Sequence, residues 1–128
     1  MKLLVDTCAF LWMAVESPRL SKTAVAALLD RNNELYLSAA SAWEIAIKYA
    51  AGRLPLPKKP EIFVPTTRRA SGIASLTVDE ESALHAGRLP ALHADPFDRM
   101  LVAQAIVHGM TILTPDPQIE QYAVRVVW

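Results

Sequence analysis

The strongest constraint in this 128-residue chain is an alternation of short apolar runs with longer helical ones. Met1 to Val5 is the kind of run that forms a buried parallel strand, and it ends at Asp6. "ELYLS" (34–38) alternates like a strand, and "GIASLTV" (72–78), "MTILT" (110–114) and "AVRVVW" (123–128) complete the set. Between them lie helical segments. "TCAFLWMAV" is apolar throughout, and Ser21 is an N-cap for "KTAVAALLDRN", which Asn32-Asn33 closes. "AASAWEIAIKYAAG" is stopped by Gly52, where helices take a left-handed residue. Asp79 caps "EESALHAG", and Asp95-Pro96 opens "PFDRMLVAQAIVHG". "RLPLPKKPEIF" contains three prolines, so it is expected to break regular structure as an exposed basic loop carrying Lys58 and Lys59, with a helix end near "TTRRAS".

Strands alternating with helices across short connections demand right-handed parallel crossovers. The expected fold is a three-layer α/β/α sandwich around a mostly parallel sheet. No repeat, low-complexity tract or linker divides residues 1–128, so one domain is expected.

Thirteen Lys and Arg balance thirteen Asp and Glu, so no overall basic footprint announces nucleic acid, although a local groove is compatible with that balance. The lone Cys8 forms no internal disulfide and has no zinc-like partner beside it, which suits a reducing cytoplasm. "MKLLVDTCAFLWMAV" resembles a secretory leader until Asp6 interrupts it, and no apolar run approaches the ~20 residues of a membrane span. The expectation is a cytoplasmic protein with no membrane segment. With 52% hydrophobic residues against 20% charged, the chain has apolar surface to cover, which favours a homodimer or a tightly bound protein partner.

In open parallel sheets ligands collect beyond the strand carboxyl ends. Asp6 follows the first strand and Asp116 follows "TILT", so both project from that edge. Each has a simpler reading as the N-cap of the helix after it. Glu44 sits in a helix that is apolar on almost every side, where a carboxylate needs a partner; Lys48, four residues on, is one. Asp95 is well placed as a cap and Asp98 falls in the first turn of the same helix, so one of the two is free for another role, and Asp98 is the better candidate.

With those acids in view, "LLVDTCAFLW", "YLSAASAWEIAIKYAAGRL" and "LPALHADPFDRMLVAQAIVHGMTILTPD" resemble, in order and spacing, the PIN-domain ribonucleases, and in particular the VapC toxins of bacterial toxin–antitoxin pairs. The resemblance covers nearly the whole chain. It implies an acidic cluster at Asp6, Glu44, Asp98 and Asp116, with Thr114 as a supporting hydroxyl, Asp95 as the alternative to Asp98, and a bound Mg²⁺ or Mn²⁺. It further implies metal-dependent RNA cleavage leaving 5′-phosphate and 3′-hydroxyl ends, dimers, and a VapB-type antitoxin that occludes the site.

Phosphodiester hydrolysis needs an activated water and stabilisation of charge on the phosphoryl oxygens, and hard divalent ions bound by carboxylates supply both. Four converging carboxylates would otherwise repel one another and raise each other's pKa values. Asp6 and Asp98 are expected to hold the principal ion, with Glu44 and Asp116 completing its shell or orienting water. Lys58, Lys59, Arg68, Arg69 and Arg99 are the candidate RNA-binding cations. His85, His93 and His108 fall at helix ends or in loops and are not read as ligands, and Trp12 and Trp43 are read as core or dimer interface.

Other Mg²⁺-dependent α/β classes fit less well. A receiver domain needs a lysine near the end of a late strand, yet none follows Lys59; an aspartate-nucleophile phosphatase needs a second Asp where Cys8 stands. The competing reading is a catalytically silent PIN-like module that binds RNA or protein.

Overall fold

The computed structural model describes residues 1–128. Its elements, in chain order, are β1 (Lys2–Val5), α1 (Thr7–Ala14), α2 (Lys22–Leu29), β2 (Glu34–Ser38), α3 (Ala39–Ala50), α4 (Pro60–Ala70), β3 (Ile73–Leu76), α5 (Glu80–Arg88), α6 (Pro96–His108), β4 (Thr111–Leu113), α7 (Pro117–Glu120) and β5 (Val126–Val127). The five strands form one sheet in the order β3-β2-β1-β4-β5, and every pairing is parallel. β1 is central, with Leu3 opposite Leu35 on one side and Thr111 on the other.

Alternation along β1 divides the core between two faces. Leu3 and Val5 pack with Phe10, Ile45 and Phe63, contributed by α1, α3 and α4. Leu4 turns to the opposite face and packs with Leu101, Val102, Ile112 and Ile119, where α6 and α7 lie. A strand covered on both faces must be apolar throughout, which explains "LLV". These are the three expected layers.

The caps follow the local sequence. Ser21 accepts from the Ala24 N–H at 2.9 Å, and Asp79 accepts from the Ser82 N–H at 2.7 Å. Gly52 and Gly109 end α3 and α6 with φ of +71° and +65°, a conformation that side chains with a Cβ resist. α2 stops earlier than expected, at Leu29. Asn33 still closes it, donating its side-chain amide to the Ala27 carbonyl at 2.9 Å.

Two expectations are corrected. The proline-rich stretch is a loop only as far as Lys59: Pro60 starts α4 at its first position, where a missing N–H costs nothing, and "PEIF" is its first turn. Pro65 inside α4 deletes one helical hydrogen bond, but the buried Phe63 and Val64 hold the helix to the sheet. Trp43 is not core. It is 63% exposed and meets Phe97 edge-on at a centroid distance of 5.3 Å, joining α3 to the start of α6. Trp12 is half-buried against Trp128, with Arg19 over its ring.

Candidate active site

The strand order turns between β1 and β4, since crossovers lead from β1 towards β2 and β3 on one side while β4 and β5 lie on the other. Such a divide opens a crevice at the carboxyl ends of the two strands. Asp6 leaves β1 there, and its backbone N–H extends the ladder to the Leu113 carbonyl at 3.1 Å. The side chain caps α1: Oδ1 accepts from the Ala9 N–H at 2.7 Å. Oδ2 accepts from the Thr114 hydroxyl, which itself accepts from the Asp116 N–H at 3.1 Å. Asp116 caps α7 through Oδ1, which accepts from the Gln118 N–H at 2.8 Å. Capping and membership of the cleft are thus not alternatives, because one oxygen makes the cap and the carboxylate still borders the opening.

α6 supplies the next pair. Oδ1 of Asp95 accepts from the Phe97 and Asp98 N–H groups at 2.8 and 3.2 Å. Asp98, freed from capping, meets His93 Nε2 through Oδ2 at 2.8 Å. From α3, Glu44 is 6% exposed and pairs with Lys48 at 2.7 Å. Five carboxylates, Asp6, Glu44, Asp95, Asp98 and Asp116, and two cations, Lys48 and Arg53, line a cleft of ≈ 390 Å³.

Burial, with like charge nearby, raises the pKa of two of these carboxyls, Asp98 and Asp6. Burial pushes the Asp98 carboxyl up to about 6, with the charges of Asp95 and Asp116 adding to the rise and the His93 hydrogen bond opposing it. Asp6 is raised by burial, against the opposing hydrogen bonds from Thr114 and Ala9. Burial and the neighbouring Asp6 carboxylate push the Cys8 thiol far up, so it stays protonated and donates to Asp6 at 3.3 Å.

The tightest grouping of potential metal donors is His93, Asp98 and Asp116, whose ligand atoms lie within 4.8 Å of one another. Asp6 lies outside this grouping, and each of its oxygens already accepts a hydrogen bond. The donor set suits a hard divalent ion through its carboxylates, with one borderline nitrogen.

None of the five basic residues singled out from sequence lines the cleft. Lys58 and Lys59 are exposed in the loop before α4, and Arg69 is exposed on α4. Arg68 donates to the Ile73 carbonyl at 3.0 Å. Arg99 points away from the acids and gathers the carbonyls of Ala86, Leu89 and Pro90 at 3.0, 3.1 and 2.8 Å, and the Tyr122 hydroxyl at 3.2 Å. Its fork satisfies a loop with no secondary structure of its own. The cleft cations are Lys48 and Arg53 instead. His93, not singled out from sequence, meets Asp98; its one local signal was a position five residues before that acid.

A PIN domain family model matches residues 3–125. Ribonuclease VapC16 of Mycobacterium tuberculosis (strain ATCC 25618 / H37Rv) is 44% identical over 72 residues, which are 53% of this chain and 51% of that protein. The matched stretch thus spans about half the length of that curated relative. Two solved structures share the fold across almost the whole chain. VapBC2 from Rickettsia felis, bound to a DNA fragment from its promoter, gives a TM-score of 0.72 at 16% identity, covering 98% of this chain and 97% of that one. DNA-bound VapBC from Salmonella typhimurium gives 0.71 at 18% identity, covering 98% and 96%. The all-parallel sheet, the acids gathered where its order turns, and a family match that runs from β1 to the edge of β5 agree: the chain belongs to the PIN-domain family.

Proposed function

We propose that this chain is a metal-dependent endoribonuclease of the VapC type, using Mg²⁺ or Mn²⁺ and restrained by a VapB-type antitoxin, with a homodimer as the working form. The observation that carries the proposal is the convergence of Asp6, Glu44, Asp98 and Asp116, from four separate elements, on one cleft that also holds two cations. The ribonuclease named among its relatives and the solved VapBC complexes support the same reading.

Asp98 and Asp116 present oxygens to a common point, and Asp95 fixes the first turn from which Asp98 projects. A divalent ion held there would supply charge neutralisation at the phosphoryl oxygens and a more acidic water. Asp6 is held by Ala9 and Cys8 at Oδ1 and by Thr114 at Oδ2, and the lone pair left on Oδ2 can orient an attacking water. Glu44 is available from the opposite wall, its charge balanced by Lys48. Lys48 and Arg53 offset the acids and receive the phosphate backbone of RNA. As the resemblance implies, attack of the water on phosphorus would break the bond to the 3′-oxygen, which leaves with a proton, giving 5′-phosphate and 3′-hydroxyl ends.

The test is cleavage of an end-labelled RNA pool by purified protein with Mg²⁺, with Mn²⁺ and with EDTA, alongside Asp6→Asn and Asp98→Asn. Cutting that requires the ion and disappears in both variants is expected. A folded, ion-loaded protein that cuts nothing in a broad pool would make it a silent module.

A further inference from the structure

We infer that His93 is a ligand of the catalytic ion, so that the site is a mixed nitrogen–oxygen site that favours Mn²⁺ over Mg²⁺. The inference rests on the metal-dependent reading above and adds a residue that the acidic cluster does not contain.

The position of His93 is built rather than incidental. The ring stands in the loop between α5 and α6, five residues ahead of Asp98, and a loop side chain reaches a fixed point only if its backbone is held. Arg99 supplies the hold: besides Ala86, Leu89 and Pro90, its guanidinium reaches the His93 carbonyl itself at 3.4 Å. The Tyr122 hydroxyl, itself held by Arg99 at 3.2 Å, also donates to that carbonyl at 3.4 Å. Successive residues on α6 thus share the work, Asp98 lining the cleft while Arg99 pins the loop that brings the imidazole against the Asp98 carboxylate.

The separations suit coordination. Nε2 of His93 and Oδ2 of Asp98 are 2.8 Å apart, and the nearest Asp116 oxygen completes a triplet within 4.8 Å. Neighbouring donors around an octahedral ion with ~2.1 Å bonds are about 3 Å apart. The His93–Asp98 contact is therefore a hydrogen bond when a proton lies between the two atoms and an edge of a coordination shell when an ion does. Both groups are about one-fifth exposed; Asp98 lines the acidic cleft, and His93 meets it from the loop before α6, where it borders a separate surface pocket with Leu92 and Arg99.

A nitrogen donor changes which ion is favoured. Mg²⁺ takes oxygen ligands and gives up its waters reluctantly, whereas first-row transition ions accept imidazole readily. A site made of Asp98 and Asp116 alone would discriminate weakly between Mg²⁺ and Mn²⁺. Adding His93 shifts the preference to Mn²⁺.

The experiment is electron spin echo envelope modulation on Mn²⁺-loaded protein, read together with Mn²⁺ and Mg²⁺ affinities by calorimetry. It uses the unaltered chain, His93→Gln, Asp98→Asn and Asp116→Asn. Gln can still donate a hydrogen bond to Asp98, so His93→Gln separates coordination from orientation. The expected result is ¹⁴N modulation in the unaltered protein and its loss in His93→Gln. Mn²⁺ affinity in that variant should fall about tenfold or more while Mg²⁺ affinity changes little. Mn²⁺ binding that needs Asp98 and Asp116 but shows no ¹⁴N modulation, or modulation that survives in His93→Gln, overturns the inference and leaves the nuclease reading standing. Absence of Mn²⁺ binding, or binding indifferent to both aspartates, overturns the nuclease reading and the inference together.

Discussion

The Ser38 hydroxyl donates to Oε1 of Gln104 at 2.6 Å, and both residues are fully buried. Ser38 also accepts from the Ala40 N–H as the cap of α3, while the Gln104 amide donates to the Thr77 carbonyl beyond β3. This clamp joins one end of α3 to the middle of α6, and Trp43 against Phe97 joins the same helices further along, with the chain order reversed between them. The antiparallel register so defined sets Glu44 and Asp98 in the walls of one cleft.

Replacing Gln104 with Leu fills the volume but leaves the proton of the fully buried Ser38 hydroxyl without its acceptor, while the Thr77 carbonyl, on an exposed residue, turns to water. The buried donor so orphaned costs ~1–3 kcal/mol. Urea unfolding of Gln104→Leu should show a loss of that size, with slower RNA cleavage at saturating metal. Full cleavage by the destabilised variant would mean that the clamp serves the core alone.

The raised Asp98 pKa makes a signed prediction for metal-free protein. A carboxyl whose folded value is about 6, above the ordinary 3.8, binds protons more readily folded than unfolded, so its contribution to stability declines as pH rises between those values. Asp98→Asn should raise the melting temperature at pH 7 and flatten the pH profile between about 4 and 6. Calorimetric melts at pH 4, 5, 6 and 7 measure this. The native protein should also lose divalent-ion affinity as pH falls through about 6, where Asp98 protonates.

Arg53 borders the cleft and Arg69 does not. Arg53→Ala should weaken RNA binding and reduce the slope of log affinity against log salt by about one, the signature of one lost phosphate contact. Arg69→Ala should leave both nearly unchanged. The reverse pattern in fluorescence-anisotropy titrations with a non-cleavable RNA would move the RNA path to the α4 surface.

Arg99→Lys keeps the charge but substitutes a point donor for a planar fork. Hydrogen exchange across residues 86–94 should quicken while β1 and β4 keep their protection. Cleavage should fall with it. Unchanged exchange would show that the loop holds itself.

The fold was readable because strands buried on both faces must be apolar and bounded by polar breaks, as "LLVD" and "ELYLS" are. α4 escaped notice because proline is a breaker in most contexts, and the identical residue at a helix's first position is harmless. The acids were legible one by one, from strand ends and helix starts. What linear reading could not supply was the direction of neighbouring side chains. The basic pairs, Lys58-Lys59 and Arg68-Arg69, are conspicuous in the chain yet stand outside the cleft, while Lys48 and the isolated Arg53 fall inside it. His93 was hidden for the same reason. Its meeting with Asp98 depends on Arg99 folding a loop back, an arrangement with no periodicity to betray it.

The hydrogen bond from Thr114 to Asp6 joins residues separated by 108 positions. During synthesis Asp6 and Glu44 leave the ribosome early, but the site lacks Thr114 and Asp116 until β4 has emerged and docked beside β1. An unfinished chain therefore lacks the acids of α6 and of the turn after β4, and the cleft is complete only once β4 has paired with β1. A copy truncated before β4 is left without its last acid, since Asp116 arrives only when β4 joins the sheet.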